Sequence, residues 1–348
     1  MNKRNLGFGL VTLTAASVLT ACGGGSSGSS DKKTDVSILF SDAPVLAAEK
    51  VVITVDKMVF SPVEGDDIVV DTFTSNELGI VDADTFTIDL LQVQGNDNRL
   101  VLDSVKLPVG DYKNLRIEIL DEDVNLSFVE EINTMAVKPI KVPSDELKLG
   151  AFTVGDFSTQ TFVIEFGLRQ SLTYNPGPPG QDRYILKPRG VRIVDLEDAS
   201  TLMGSVDFTA IHSIAPCDAK VDTQVDNVAY LYSGHGLDPT LLGDVFVREA
   251  EAEPGEDFDP NVPPDVIAPA VSVGVEGGDV NGYLFSYLLP GQYTLAFSCV
   301  ATDDDPVIYN GIEIAAPSTE IVEITLGVEE NLTCDLPLNG GVCANNVP

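Results

Sequence analysis

The chain has 348 residues, with 54 acidic against 20 basic side chains and a formal net charge of −34. That balance excludes a nucleic-acid partner, which needs Lys and Arg patches against phosphate, and it keeps the folded part off an anionic membrane. Apolar residues make up 44%, too many for a disordered acidic chain, so the length predicts two or three folded domains. The charge suits divalent cations or basic partners, but a solvated acidic surface is the first reading.

Lys3 and Arg4 precede an apolar run from Leu6 to Leu19, which ends in small residues before Cys22. A basic start, a short apolar stretch and a small-residue cleavage site predict a secretory signal peptide over residues 1–21. The run is short of the roughly 20 apolar residues that a spanning helix needs. Leu19-Thr20-Ala21-Cys22 resembles the bacterial lipobox. The resemblance implies cleavage before Cys22, a diacylglyceryl group on its thiol and acylation of its new amine. One acyl chain binds a membrane only marginally, whereas several hold it stably. Gly23, where an Asp resembles an inner-membrane retention signal, implies the outer membrane. Residues 23–30 are only Gly and Ser, so 22–34 read as a lipidated Cys and a flexible tether. The expected partner is thus the membrane, through a lipid anchor, with the body on the periplasmic face or the cell surface.

Four cysteines remain, Cys217, Cys299, Cys334 and Cys343. In an oxidising compartment they can form two disulfides in any of three pairings. Cys217–Cys299 with Cys334–Cys343 is favoured, because the second pair closes a short Gly-rich loop. With no Cys-x-x-Cys, a zinc or redox role is weak.

From residue 35 to 198 strand follows strand. Asp35–Phe40, Lys50–Val59, Asp67–Phe73, Thr85–Leu91 and Arg99–Leu107 are followed by Asn114–Leu120, Ala136–Val142, Gln160–Leu168 and Tyr184–Val194. Breaks of Gly, Pro, Asn and Asp at this spacing predict an all-β sandwich or barrel. Leu90–Gln94 reads as one helical turn after a strand. Phe40-Ser41-Asp42-Ala43-Pro44, Thr87-Ile88-Asp89-Leu90-Leu91, Leu107-Pro108-Val109-Gly110-Asp111-Tyr112 before Leu115-Arg116-Ile117, and Tyr184-Ile185-Leu186-Lys187-Pro188 occur in that order. This ordered set resembles an exported bacterial family, domain of unknown function 4382, over residues 35–195. The resemblance implies an envelope location and brings no catalytic residues.

Residues 200–328 predict a second β unit: Met203–Val206, Val228–Tyr232, Gly282–Leu289, Pro290–Phe297 and Ile321–Leu326. An opening Gly-x-Val strand and a later Leu-Pro-Gly-x-Tyr resemble the transthyretin-like sandwich of carboxypeptidase regulatory domains. That resemblance implies a fold and a non-catalytic role. Glu249–Pro269 is an acidic, Pro-rich insertion read as a surface loop. Residues 329–348 read as a disulfide-closed tail. The fold class is therefore all-β, with two tandem antiparallel β-sandwich (Greek-key, transthyretin-like) domains. Leu107–Tyr112 and Leu289–Tyr293 share a Leu-Pro…Gly-x-Tyr turn, more readily by common turn chemistry than as distant repeats.

Catalytic motifs are missing. His212 and His235 lie in no recognisable pattern, and neither Gly-x-Ser-x-Gly nor His-Glu-x-x-His occurs. Ser233-Gly234-His235 reads as a hairpin turn, not part of a triad. Calcium is the one ligand the composition allows. Asp121, Asp123 and Asn125 supply the first three side chains of an Asp-x-Asp-x-Asn loop, but Leu126 replaces its Gly and Ile132 its bidentate acid. Asp303, Asp304 and Asp305 form a second acidic loop, and for both loops a solvated turn is the simpler reading. Glycan binding lacks its usual tool, Trp. The leading reading is a non-enzymatic outer-membrane binding or scaffolding module with no certain cofactor. A calcium-dependent adhesive or ligand-binding protein is the alternative, and a carboxylate-based hydrolase comes last.

Overall fold

Alternation of apolar and polar side chains, with a period of two, sets most of the structure. The computed structural model describes residues 32–43, 48–132, 134–178, 180–223, 225–246, 265–275, 282–302, 304–338 and 343–345. The first half contains β1 (Lys33–Asp42), β2 (Ala48–Pro62), β3 (Ile68–Val70), β4 (Phe73–Ser75), β5 (Ile80–Ala83), β6 (Phe86–Asp89), β7 (Arg99–Pro108) and β8 (Gly110–Ile119). It continues with β9 (Phe128–Glu131), β10 (Val137–Lys141), β11 (Glu146–Lys148), β12 (Phe152–Val154), β13 (Thr159–Phe166), β14 (Leu172–Asn175), β15 (Arg183–Leu186) and β16 (Val191–Asp195). A single helical turn, α1 (Leu168–Ser171), follows β13. The second half contains β17 (Ser200–Ser205), α2 (Phe208–Ile211), β18 (Val228–Ser233), β19 (Val271–Gly274), β20 (Gly282–Leu288), β21 (Gly291–Ser298), β22 (Ile321–Leu326), β23 (Asn331–Thr333) and β24 (Ala344–Asn345).

In the first half a four-stranded sheet, β16-β13-β1-β7, faces a ten-stranded sheet that runs β11-β8-β2-β9-β10-β15-β14, with β3, β6 and β12 paired beside that path. Ile38 and Phe40 of β1 and Phe162 and Ile164 of β13 meet Ile53, Met58 and Phe60 of β2 and Leu115 and Ile117 of β8 in one core. The opposite face of the smaller sheet is buried too. Leu39, Val163 and Val194 pack there on Tyr287 of the second half. The second half is a sandwich of β20-β17-β23-β24 over β19-β18-β21-β22, closed over Leu202, Phe285, Leu332, Leu231, Leu295 and Phe297.

Among the described strands the sheets are mostly antiparallel, with three parallel strand pairings: β1 with β13, β10 with β15 and β17 with β23. Alternation reports which face a strand buries and says nothing of its neighbour's direction. Tyr184–Val194, read as one strand, is two strands in different sheets. β15 joins the larger sheet and β16 the smaller, and Gly190, at φ +76°, turns the chain between them. Leu90–Gln92 is a turn of 3-10 helix where one helical turn is expected. β23 lies in the stretch read as a tail and is a full member of its sheet. Cys217–Cys299 and Cys334–Cys343 are bonded, with Cα–Cα distances of 5.8 and 4.4 Å. Residues 1–31, with the signal peptide and Cys22, lie outside the described residues, as do Asp303 and most of the 249–269 insertion.

The two Leu-Pro…Gly-x-Tyr turns have the same physical content. The Tyr112 hydroxyl donates to the Pro108 carbonyl at 2.9 Å, and the Tyr293 hydroxyl donates to the Leu289 carbonyl at 2.8 Å. Each ring is buried, and each hydroxyl reaches back four residues to close the hairpin it begins, as in a tyrosine corner. Burial forces this, since a phenol sunk in a core needs a partner for its hydroxyl. Tyr112→Phe and Tyr293→Phe are each expected to cost about 1 kcal/mol. Each should lower the urea midpoint with an unchanged denaturant slope, and unchanged midpoints would mean that ring burial alone sets the corners.

Candidate functional site

The side chains with most chemical potential gather where the halves meet. Arg169, on the α1 turn, ion-pairs with Asp304, whose side chain is only 1% exposed. Asp304 also accepts hydrogen bonds from the Tyr230 hydroxyl at 2.8 Å and the Val245 amide at 2.9 Å. Burial, and then the Asp304 charge, raise the Tyr230 pKa well above its ordinary value, so this hydroxyl remains a donor. Beside it, Asp244 accepts from the amides of Phe246, Asn310 and Gly311 at 3.1, 2.8 and 2.9 Å. Burial raises its pKa, and those amides oppose the shift. Arg189 adds donations from Nε to the Gln170 carbonyl and from Nη2 to the Pro306 carbonyl, at 2.9 and 2.7 Å.

A second line of contacts runs along the smaller first-half sheet. Arg192 Nη2 donates to buried Glu165 at 2.7 Å and to the Ser286 carbonyl at 3.2 Å. Burial pushes Glu165 up to about 7, against the pull of Arg192. Asp42, also buried, is raised well above its ordinary value by desolvation, and its Oδ2 accepts from Gln94 at 3.2 Å. Ser286 donates to the Asn96 side chain, and Tyr287 to the Asn96 carbonyl, at 2.8 and 2.9 Å.

The sequence motifs explain how that wall is built. Asp89 caps the 3-10 turn by accepting from the Leu91 amide at 3.2 Å, and also accepts from the Val51 amide at 3.2 Å. Ser41 donates to the Asp97 carbonyl at 2.8 Å. The Asp42 amide donates to the Val93 carbonyl at 2.8 Å, and the Gly95 amide donates to the Asp42 carbonyl at 2.9 Å. Ser41, Asp42 and Asp89, from the two sequence motifs, therefore shape the backbone of residues 89–98. That loop is one wall of a cavity of about 630 Å³, and among the described residues β17, β19, β20 and β23 provide the others. Sequence reasoning missed this cavity: Gln94-Gly95-Asn96 looks like any polar turn, and nothing in the sequence marks what it faces.

Of the residues expected to hold calcium, Asp303 lies outside the described residues, and the others make bonds within the protein. Asp121 accepts from the Val142 amide at 2.7 Å and lies 3.2 Å from Lys141. Asp123 accepts from the amide and the side chain of Asn125, both at 2.8 Å, and these bonds lower its pKa. Asp305 accepts from the Val307 amide at 2.7 Å, while Asp304 serves the junction. Among the described residues no group of three or more His, Cys, Asp or Glu side chains is placed to hold a metal ion. His212 Nδ1 lies 3.1 Å from the Cys217 carbonyl and His235 Nε2 lies 2.7 Å from the Ile324 carbonyl, each as a donor to backbone.

Residues 33–188 match the family described as Domain of unknown function (DUF4382). The DUF4382 stretch thus stops short of β16, although β16 completes the sheet that β13 and β1 begin. It contains the 89–98 wall of the cavity, and the opposite walls lie beyond it. No curated protein matches the chain. Among solved structures the chain is similar to the Bacillus anthracis TIE protein, at 12% identity and a TM-score of 0.19, over 88% of this chain and 34% of that one. It spans about a third of that protein's length. A candidate adhesin from Bacteroides ovatus is 11% identical, with 85% of this chain and 82% of that one covered and a TM-score of 0.17. BcpA, the major pilin subunit of Bacillus cereus, is 8% identical, with coverages of 87% and 70% and a TM-score of 0.17.

Removing one side of the buried pair strands the other, so Asp304→Asn is expected to cost about 3–5 kcal/mol. A lowered urea midpoint checks this, and wild-type stability would remove the junction from that role. Glu165 has a folded pKa near 7 against an ordinary 4.5. A carboxyl raised by folding adds stability that is full below its unfolded pKa and lost as pH rises through its folded pKa. The wild-type advantage over Glu165→Gln should therefore shrink between about pH 4.5 and 7, as read by melting at constant ionic strength.

Proposed function

We propose that the chain is an exported lipoprotein, held at the outer membrane through Cys22 and working as a non-enzymatic binding or scaffolding module. The observation that carries this reading is the use made of the reactive side chains. Asp304, Asp244 and Glu165 hold backbone amides, a tyrosine or arginines at the junction, and both histidines serve backbone carbonyls. Catalysis needs a nucleophile or base free to meet substrate, and these groups are committed to holding the body in one shape. A preformed, rigid body with a cleft is what a binding module needs, because little ordering entropy is then lost on binding. The lipobox-like Leu19–Cys22 and the Gly/Ser stretch support the anchored part of the reading. The calcium-dependent form is the alternative, and in it Asp121, Asp123 and Asp304 would bind the cation beside the hydrogen bonds that they already accept.

Cys22→Ser is expected to move the protein from the membrane fraction to the soluble fraction of an expressing Gram-negative cell, with its melting unchanged. Retention of this variant in membranes through a high-salt wash would overturn the lipid anchor.

A further inference from the structure

The cavity at the junction has a size and a lining that point to a ligand class. Its volume, about 630 Å³, falls within the range of small-molecule sites. On the second-half side, Met203 pairs with Leu284 of β20 and with Thr333 of β23. Their neighbours Leu202, Phe285 and Leu332 point into the core, so this row must stand on the opposite face of the sheet. An outward face of a soluble sheet is ordinarily polar, and here Met203 and Leu284 lie half-buried beneath the 89–98 loop. Gly95 sits directly against Leu284: a Cβ there would come within 3.0 Å of the leucine methyl. The first half thus covers the row closely at one point and leaves open space beside it.

Among the described residues that border the cavity there is no Asp, Glu, Lys, Arg or His. Tyr283, the one titratable side chain among those described residues, is raised by burial far above the neutral range and donates to the Cys334 carbonyl. In a chain of net charge −34, an uncharged apolar pocket has nothing to hold an anion against the surrounding field. From the described lining a cation would lose its water without gaining a carboxylate. Amide and hydroxyl groups of Gln94, Asn96 and Ser205 border the same space, so one end of a ligand meets neutral hydrogen-bonding groups and the rest meets hydrocarbon.

We infer that this cavity binds an uncharged, mainly apolar small molecule. The inference deepens the binding-module reading and rests on it. The test uses two fluorophores with the same aromatic framework, neutral N-phenyl-1-naphthylamine and anionic 8-anilinonaphthalene-1-sulfonate, titrated into the soluble full chain carrying Cys22→Ser. The neutral probe is expected to saturate at one per chain, with the sulfonate at least about tenfold weaker because its charge finds no partner. Met203→Trp should then fill the space and weaken the neutral probe about tenfold or more. The chain has no other Trp, so a blue-shifted indole emission reports that the new side chain occupies the cavity. Should that variant fail to melt cooperatively, Thr333→Lys on the adjacent strand decides by the same loss of binding. Non-saturating binding, equal binding of both probes, or undiminished binding to a folded variant would overturn the site. Each of those results leaves the anchored-module reading standing, because the fractionation of Cys22→Ser tests it separately.

Discussion

The carboxylate of Asp304 is the constraint on which the body depends. It is almost wholly removed from water and takes an arginine from the first half, a tyrosine from the β18 strand and an amide from the following loop. A buried charge is tolerable only when its acceptor positions are filled, so these elements hold their places or the ion is stranded. Glu165 repeats the principle with Arg192, which also reaches the Ser286 carbonyl across the junction. Tyr287 packs on Leu39, Val163 and Val194, and the smaller first-half sheet is buried on both faces. The two sandwiches therefore behave as one body.

That arrangement gives physical meaning to the sequence motifs of the first half. Ser41, Asp42 and Asp89 are polar residues set among strands, and each bonds backbone of the 89–98 loop or its flanks. They fix the shape of a loop that both touches the second half and walls the cavity. These bonds set backbone geometry, and the cavity follows from it. The matched DUF4382 stretch thus provides half of a site whose other half comes from the following sandwich.

Local features were legible in the sequence wherever one residue's neighbours along the chain decide its fate. Period-two alternation located β1, β2, β7, β8 and β13, and Ile321–Leu326 is the same span in both readings. The Leu-Pro…Gly-x-Tyr turns announced hairpins whose tyrosines start the next strand, and the hydroxyl bonds to the residues four places back complete that picture. The short strands β9, β11, β12 and β14 escaped because three or four residues carry too little alternation to stand out. They exist because a longer neighbour offers them its edge, as β8 does for β11 and β12.

What the sequence determined by itself is the all-β character, the order of the main strands and the acidic surface charge, since each is written in short-range pattern or composition. The tertiary structure alone decided that β1 runs parallel to β13, that β15 and β16 part into different sheets, and that Asp304 faces inward to Arg169. It alone opened the cavity between Gly95 and the Met203–Leu284 row. The reason is common to all of these. They are contacts between segments far apart in the chain, and a residue's type records whether it prefers water, not which distant segment will shield it.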